Sequence, residues 1–248
     1  IRIGLLGPIP ALLKKLGHDP AKVLSGTGFD LARFEQPDAR VPYLQAAHML
    51  VTCATASKTP HFGLLLGQCF EMSMLGPLEP LMRNSATVRD ALLQLARHLH
   101  LHDRGAAIYL ADRGPGDAAL GYNVFKSTVP GTVHINGVVM VAICRVLQDL
   151  CGPGWQAKRL LFAHDAPADA EPYHQCFQTP LQFNAAHSEA VFSAHWLDQP
   201  IRDRDPARLL SVERNALAAE RQNDSHFVGR VRRVIYELLM AGDVSTPL

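Results

Sequence analysis

Gly105-Ala106-Ala107-Ile108-Tyr109-Leu110-Ala111, then Asp112-Arg113-Gly114-Pro115-Gly116-Asp117, then Ala118-Ala119-Leu120-Gly121-Tyr122-Asn123-Val124-Phe125 is the stretch at which the period of the chain changes. Ala107–Ala111 and Ala119–Phe125 are short runs carrying Ile, Tyr, Val and Phe, with a Gly/Pro/Asp turn between them, and they are expected to form a β-hairpin. Gly114-Pro115-Gly116 with Gly121 is therefore a turn and not a phosphate loop, since it leads into a strand and offers no helix N-terminus to an anion. Further on, Ile135, Val138, Val139, Ala142, Val146, Leu147 and Leu150 share one helical face over residues 134–151, and Gly152-Pro153-Gly154 stops that helix. Lys158–Phe162 predicts a strand, Ala170–Phe177 a short helix, and Leu181–Phe183 with Ala190–Ala194 two more strands around Asn184-Ala185-Ala186-His187. Residues 105–201 thus read as an α+β unit with a mostly antiparallel sheet.

Working outward to the N-terminus, residues 1–104 read as helices joined by short Gly/Pro breaks. Ile9–Leu16 ends at Gly17-His18-Asp19-Pro20, where Asp19 is placed to cap a helix with Pro20 at its first position, followed by Ala21–Ser25. Leu44, Ala47, Leu50 and Val51 put one apolar face on a helix over Pro42–Ala56, ended by Lys58-Thr59-Pro60. Phe62-Gly63-Leu64-Leu65-Leu66-Gly67 and the segment opening at Leu75-Gly76-Pro77 continue the pattern. Ser85-Ala86-Thr87-Val88-Arg89-Asp90 supplies a capping hydroxyl ahead of Ala91, Leu92, Leu95 and Leu99.

At 248 residues the chain is long enough to bury a sizeable core. Lys and Arg number 24 against 23 Asp and Glu, so no global field draws it to nucleic acid or an anionic membrane. The five cysteines, Cys53, Cys69, Cys144, Cys151 and Cys176, are odd in number and set in apolar stretches, which predicts reduced thiols, with core packing the reading for Cys144 and Cys151. No uninterrupted apolar run approaches the roughly 18–20 residues of a membrane span, and no signal-peptide pattern opens the chain, so a cytoplasmic location without a membrane partner is expected.

Beyond residue 201 the composition shifts. Residues 202–227, with Arg202, Arg204, Arg208, Arg214 and Arg221 and few large apolar side chains, read as a partly helical linker whose arginines form solvated faces. In residues 228–248, Val228, Val231, Ile235, Leu238 and Leu239 recur at helical spacing, Gly242 ends the helix, and Thr246-Pro247 opens another. A helix, a short turn and a new helix start is how a helix-turn-helix begins, so a second domain is expected to open here and to be truncated.

The last stretch resembles the entry to the DNA-binding domain of AraC/XylS-type transcription regulators. Leu16-Gly17-His18-Asp19-Pro20, Val41-Pro42, Phe62–Gly67, Leu75-Gly76 and Ser85–Leu92 resemble, in order and spacing, the arabinose-binding-like N-terminal domain of one AraC subfamily. Leu161–Pro167, Tyr173, Cys176–Phe183 and Leu197–Ile201 extend that similarity, with Gln178 where a glycine is common. The resemblance implies an effector-binding domain over residues 1–201, helical to 104, followed by a linker and the first helix of a helix-turn-helix. It also implies a small-molecule effector, a homodimer, and DNA contacted through the missing C-terminal domain; it does not make arabinose the ligand.

For the effector site, Phe70, Met72, Met74, Tyr122, Phe125, His134 and Asn136 flank the junction between the helical half and the sheet and are the candidate lining residues, with core packing as the competing reading of each. His98, His100, His102 and Asp103 have permissive metal spacing, but they sit where a helix C-terminus favours cationic and polar groups, so neither a metal nor another cofactor is assigned. No nucleophile elbow, Walker loop, His-Glu-x-x-His or Cys-x-x-Cys occurs, and catalysis is not expected. The competing functions are a constitutive dimerisation module without effector, a metal-responsive sensor, and a divergent small-molecule enzyme.

Overall fold

The computed structural model describes residues 1–125 and 130–222, together with Val231 and Ile235. The first half is helical. Helix α1 (Ile9–Lys15) and helix α2 (Pro20–Leu24) are joined through Asp19, whose carboxylate accepts the Ala21 amide at 3.0 Å while Pro20 occupies the first helical position. Helix α3 (Tyr43–Ala56), helix α4 (Phe62–Gly67) and helix α5 (Leu78–Arg83) follow, and helix α6 (Val88–His98) opens with a reciprocal cap. There the Thr87 hydroxyl accepts the Asp90 amide at 3.1 Å, and the Asp90 carboxylate accepts the Thr87 amide at 3.1 Å.

The hairpin forms as expected, with β1 (Ala106–Asp112) antiparallel to β2 (Asp117–Val124) and Tyr109 opposite Gly121. Helix α7 (Thr132–Cys151) is followed by β3 (Arg159–Leu161), helix α8 (Glu171–Phe177), β4 (Leu181–Gln182) and β5 (Ser188–Ser193). These strands make one sheet in the order β1-β2-β5-β3-β4, antiparallel except for the β3–β4 pair. A helical half against a mostly antiparallel sheet with one long helix is the α+β arrangement the periodicity implied.

By length and composition α7 is apolar enough to cross a membrane, although Asn136, Arg145, Gln148 and Asp149 interrupt its apolar run. In the fold it is the core helix. It packs on α3, α4, β2 and β5, and most of its apolar stretch is buried. The contact with α4 is unusually close: a side chain on Gly67 would meet the Val138 carbonyl oxygen at 2.9 Å, one on Gly63 would overlap the His134 carbonyl, and one on Gly137 would approach the Gly63 backbone at 3.3 Å. The two glycines of the Phe62–Gly67 segment therefore exist to bring two helix backbones together.

The linker region is more regular than its composition suggested, because residues 206–222 form one continuous helix, α9 (Pro206–Gln222). Asp205 caps it by accepting the Ala207 and Arg208 amides at 2.9 and 3.1 Å. Leu209, Val212, Glu213 and Ala216 form its inner face against the body, at i, i+3, i+4 and i+7. The expected helix-turn-helix entry at 228–248 lies outside the described residues, apart from Val231 and Ile235, which are helical and exposed.

Candidate functional site

A cleft of about 1010 Å³ opens between the helical half and the end of the sheet. Three helices present one face each to it. From α1 come Pro8, Ala11, Leu12, Lys15 and Leu16; from α7 come Val141, Cys144, Arg145 and Gln148; Leu65 lies on α4, and Gln68 and Cys69 just follow it. The α1 and α7 sets are spaced i, i+3, i+4, i+7, so each is a single stripe aimed at the cleft. The opposite wall is Trp155, Gln156, Ala157, Leu160 and the α8 end from Cys176 to Thr179.

That wall is fixed by aromatic packing. Phe162 lies 5.4 Å from Tyr173, 5.7 Å from Phe177 and 5.3 Å from Phe183, ring centre to ring centre, which binds α8 and β4 to β3. Trp155 stacks obliquely on Phe192 at 6.0 Å, and Thr179 donates its hydroxyl to the Ala157 carbonyl at 2.8 Å. Leu12, Val141 and Leu160 are buried and form the floor, Trp155 is buried in the wall, and Lys15 and Arg145 are exposed at the mouth. Three cysteines contribute. Burial, with neighbouring Cys176 adding to it, pushes the Cys144 thiol up to about 12, and burial raises the Cys176 thiol as well. These are protonated, unreactive thiols that serve as small apolar wall groups. Cys144 therefore belongs to the cleft wall, a refinement of the core-packing expectation.

None of the seven residues singled out from sequence lines this cleft. Phe70 and Met72 are buried and Met74 half-buried in the turn after α4. Tyr122 is buried on β2 and donates to Asp103 at 3.0 Å, while Phe125 ends the hairpin with its amide on the Gly105 carbonyl at 3.0 Å. His134 and Asn136 lie in the first turns of α7, where burial, with His164 adding, lowers the His134 pKa. The residues that do line the cleft carried no signal in the sequence beyond the helical stripes of α1 and α7, because their convergence depends on tertiary packing.

Of the metal candidates, His98 and His102 are buried, and the 3-10 turn Leu99–Leu101 separates them. Among the described residues no group of three or more His, Cys, Asp or Glu is placed to hold a metal ion. The Arg113–Glu189 ion pair, joined by the Tyr109 hydroxyl at 2.7 Å, has Glu189 buried on β5 and Arg113 half-buried in the hairpin turn, and neither residue lines this cleft.

The chain is thus an α+β body with an open cleft between its halves, followed by the helix α9. Residues 17–201 match the family described as the arabinose-binding domain of AraC transcription regulators, N-terminal, and the chain belongs to that family. It is 23% identical over 229 residues to the HTH-type transcriptional regulator VirS of Mycobacterium tuberculosis, in strains CDC 1551/Oshkosh and ATCC 25618/H37Rv, covering 90% of this chain and 67% of VirS. Its fold is similar to that of the transcriptional regulator CdpR from Pseudomonas aeruginosa, with a TM-score of 0.60 and 16% identity over 94% of this chain and 69% of CdpR. The family and these relatives are transcription regulators, not enzymes.

Proposed function

We propose that the cleft between α1, α4, α7 and α8 is an effector site, and that its occupancy is passed through α9 to an attached DNA-binding domain. The observation that carries this is the cleft itself: its volume of about 1010 Å³ is at the upper end of the roughly 300–1,000 Å³ range of small-molecule sites. Elements from both halves wall it, so a ligand that prefers one spacing of the halves biases the conformation. DNA is then the partner of the C-terminal domain, and cytoplasm the place of action.

A homodimer accompanies this reading. Leu210 and Leu217, two turns apart on the outer face of α9, are 62% and 48% exposed, an apolar seam suited to a second copy of the chain. The junction residues from Phe70 to Asn136 serve in this reading as the packing that holds the halves together behind the cleft.

The test is native mass spectrometry of the purified chain, with released small molecules identified. A retained metabolite, lost on Ala11→Trp substitution at the cleft wall, is expected. A concentration-dependent dimer that carries nothing and responds to no metabolite favours the constitutive module instead.

A further inference from the structure

We propose that the cleft takes an organic carboxylate with an apolar body, its charged head at the mouth between Arg145 and Lys15 and its apolar part on the floor. The inference rests on the reading of the cleft as an effector site and adds the chemical class of the ligand.

Charge is the first argument. Among twenty lining residues there are two cations, Lys15 and Arg145, and no Asp or Glu. The chain as a whole is nearly balanced, 24 against 23, so this one-sidedness is local. A second opening of about 760 Å³ shows the ordinary case, with Arg83, Arg202 and Arg208 facing Glu79, Asp149 and Asp203, three against three. Neither Lys15 nor Arg145 forms an ion pair among the described residues. They come from different helices, α1 and α7, and a single anion between them satisfies both.

Donor chemistry is the second. Trp155 is 2% exposed in the cleft wall and its indole Nε1, a donor only, has no acceptor among the described residues. The thiols stay protonated and cancel none of the positive charge. The buried orphan of this wall is a donor and its charged groups are cations, so the complementary partner is an anion that also accepts hydrogen bonds.

Layout is the third. Charge at an exposed mouth above Leu12, Val141 and Leu160 is the arrangement for an amphiphile, with the head remaining partly hydrated and the body removed from water. A neutral ligand forgoes the charged contacts, a cationic one is repelled.

The experiment is calorimetric titration of the 248-residue chain with 4-butylbenzoate, its neutral near-isostere 4-butylbenzamide, and the cation 4-butylbenzylamine. Hydrogen bonds to a charged group contribute about 1.5–3 kcal/mol, so the benzoate is expected to bind about tenfold or more tighter than the benzamide, and the benzylamine weakest. In Arg145→Gln the benzoate preference shrinks towards unity while benzamide affinity stays unchanged; in Arg145→Lys most of the preference returns. Both substitutions are at an exposed position, and an unchanged thermal transition confirms folding. Ala11→Trp, which fills the cleft, abolishes binding of all three. Equal binding of benzoate and benzamide overturns the carboxylate inference but leaves the cleft a ligand site. If none of the three binds, or Ala11→Trp leaves binding intact, the cleft is not the site and both readings fall.

Discussion

His102 is 2% exposed, and neither of its ring nitrogens finds a hydrogen-bond partner among the described residues. Burial, with the Arg2 and Arg40 guanidinium groups adding, pushes its pKa down to about 3. In the unfolded chain the imidazole takes a proton at about 6.5. Because the unfolded state then binds a proton the folded state refuses, stability falls as pH drops from 6.5 towards 3, by at most about 1.4 kcal/mol per pH unit. Glu189 acts lower on the scale. Burial pushes its carboxyl up, but hydrogen bonds from Arg113 and Tyr109 and the Arg113 charge outweigh it and hold the group below 4.5. Its contribution is present above that value and is lost as the pH falls through the folded pKa. Urea midpoints against pH separate the two: His102→Leu flattens the limb that begins near 6.5, Glu189→Gln only the limb below 4.5. A His102→Leu profile superimposed on that of the parent chain refutes the account. The sequence marked His102 as a metal candidate by spacing, because spacing says nothing of how deeply a ring is buried.

At the scale of elements, the α4–α7 seam is a close approach of two helix backbones. Gly67→Ala places a methyl 2.9 Å from the Val138 carbonyl and 2.7 Å from the Val141 Cβ, atoms that do not yield easily. Forcing the helices apart costs about 1–3 kcal/mol despite the better helix propensity of alanine, and Gly63→Ala, against backbone, costs at least as much. Thermal melts are expected to show a fall of roughly 2–4 °C per kcal/mol for a chain of this size. A melt of Gly67→Ala within 1 °C of the parent, outside that expectation, sinks the seam argument. Thr87→Ala removes the cap of α6 and is expected to cost about 1 kcal/mol. These elements were legible from sequence where a local rule acts: the hairpin from its Gly/Pro/Asp turn, α2 from Asp19-Pro20, α6 from its capping box, α7 from its period. Continuous α9 was not, since its inner stripe of Leu209, Val212 and Ala216 is interrupted by Glu213, which the fold pairs with Gln94 at 2.6 Å.

At the scale of the whole molecule, the cleft escaped the sequence for the reason that makes it useful: its walls belong to segments more than a hundred residues apart, and no local pattern announces that Lys15 and Arg145 face one opening. A contiguous line of contacts runs from there to α9. Arg145 and Gln148 of α7 line the cleft; one residue on, the Asp149 carboxylate accepts from Arg83 of α5 at 2.9 Å, and Arg83 also donates to Glu79 at 2.9 Å. Helix α5 packs on α9, and Asn84, immediately after α5, accepts the Asp205 amide at 3.0 Å at the start of α9. Contiguity alone does not make a coupling; a differential response at its far end does. On titration with 4-butylbenzoate, amide hydrogen exchange over residues 206–222 is expected to slow. Arg83 is half exposed, so Arg83→Ala should shift stability by less than about 0.5 kcal/mol and leave benzoate affinity intact while abolishing the slowing in α9. If Arg83→Ala keeps the ligand-dependent change, the signal travels elsewhere; if the parent chain shows none while the cleft binds, the cleft is a ligand site uncoupled from α9, and transmission to a DNA-binding domain must start from another surface.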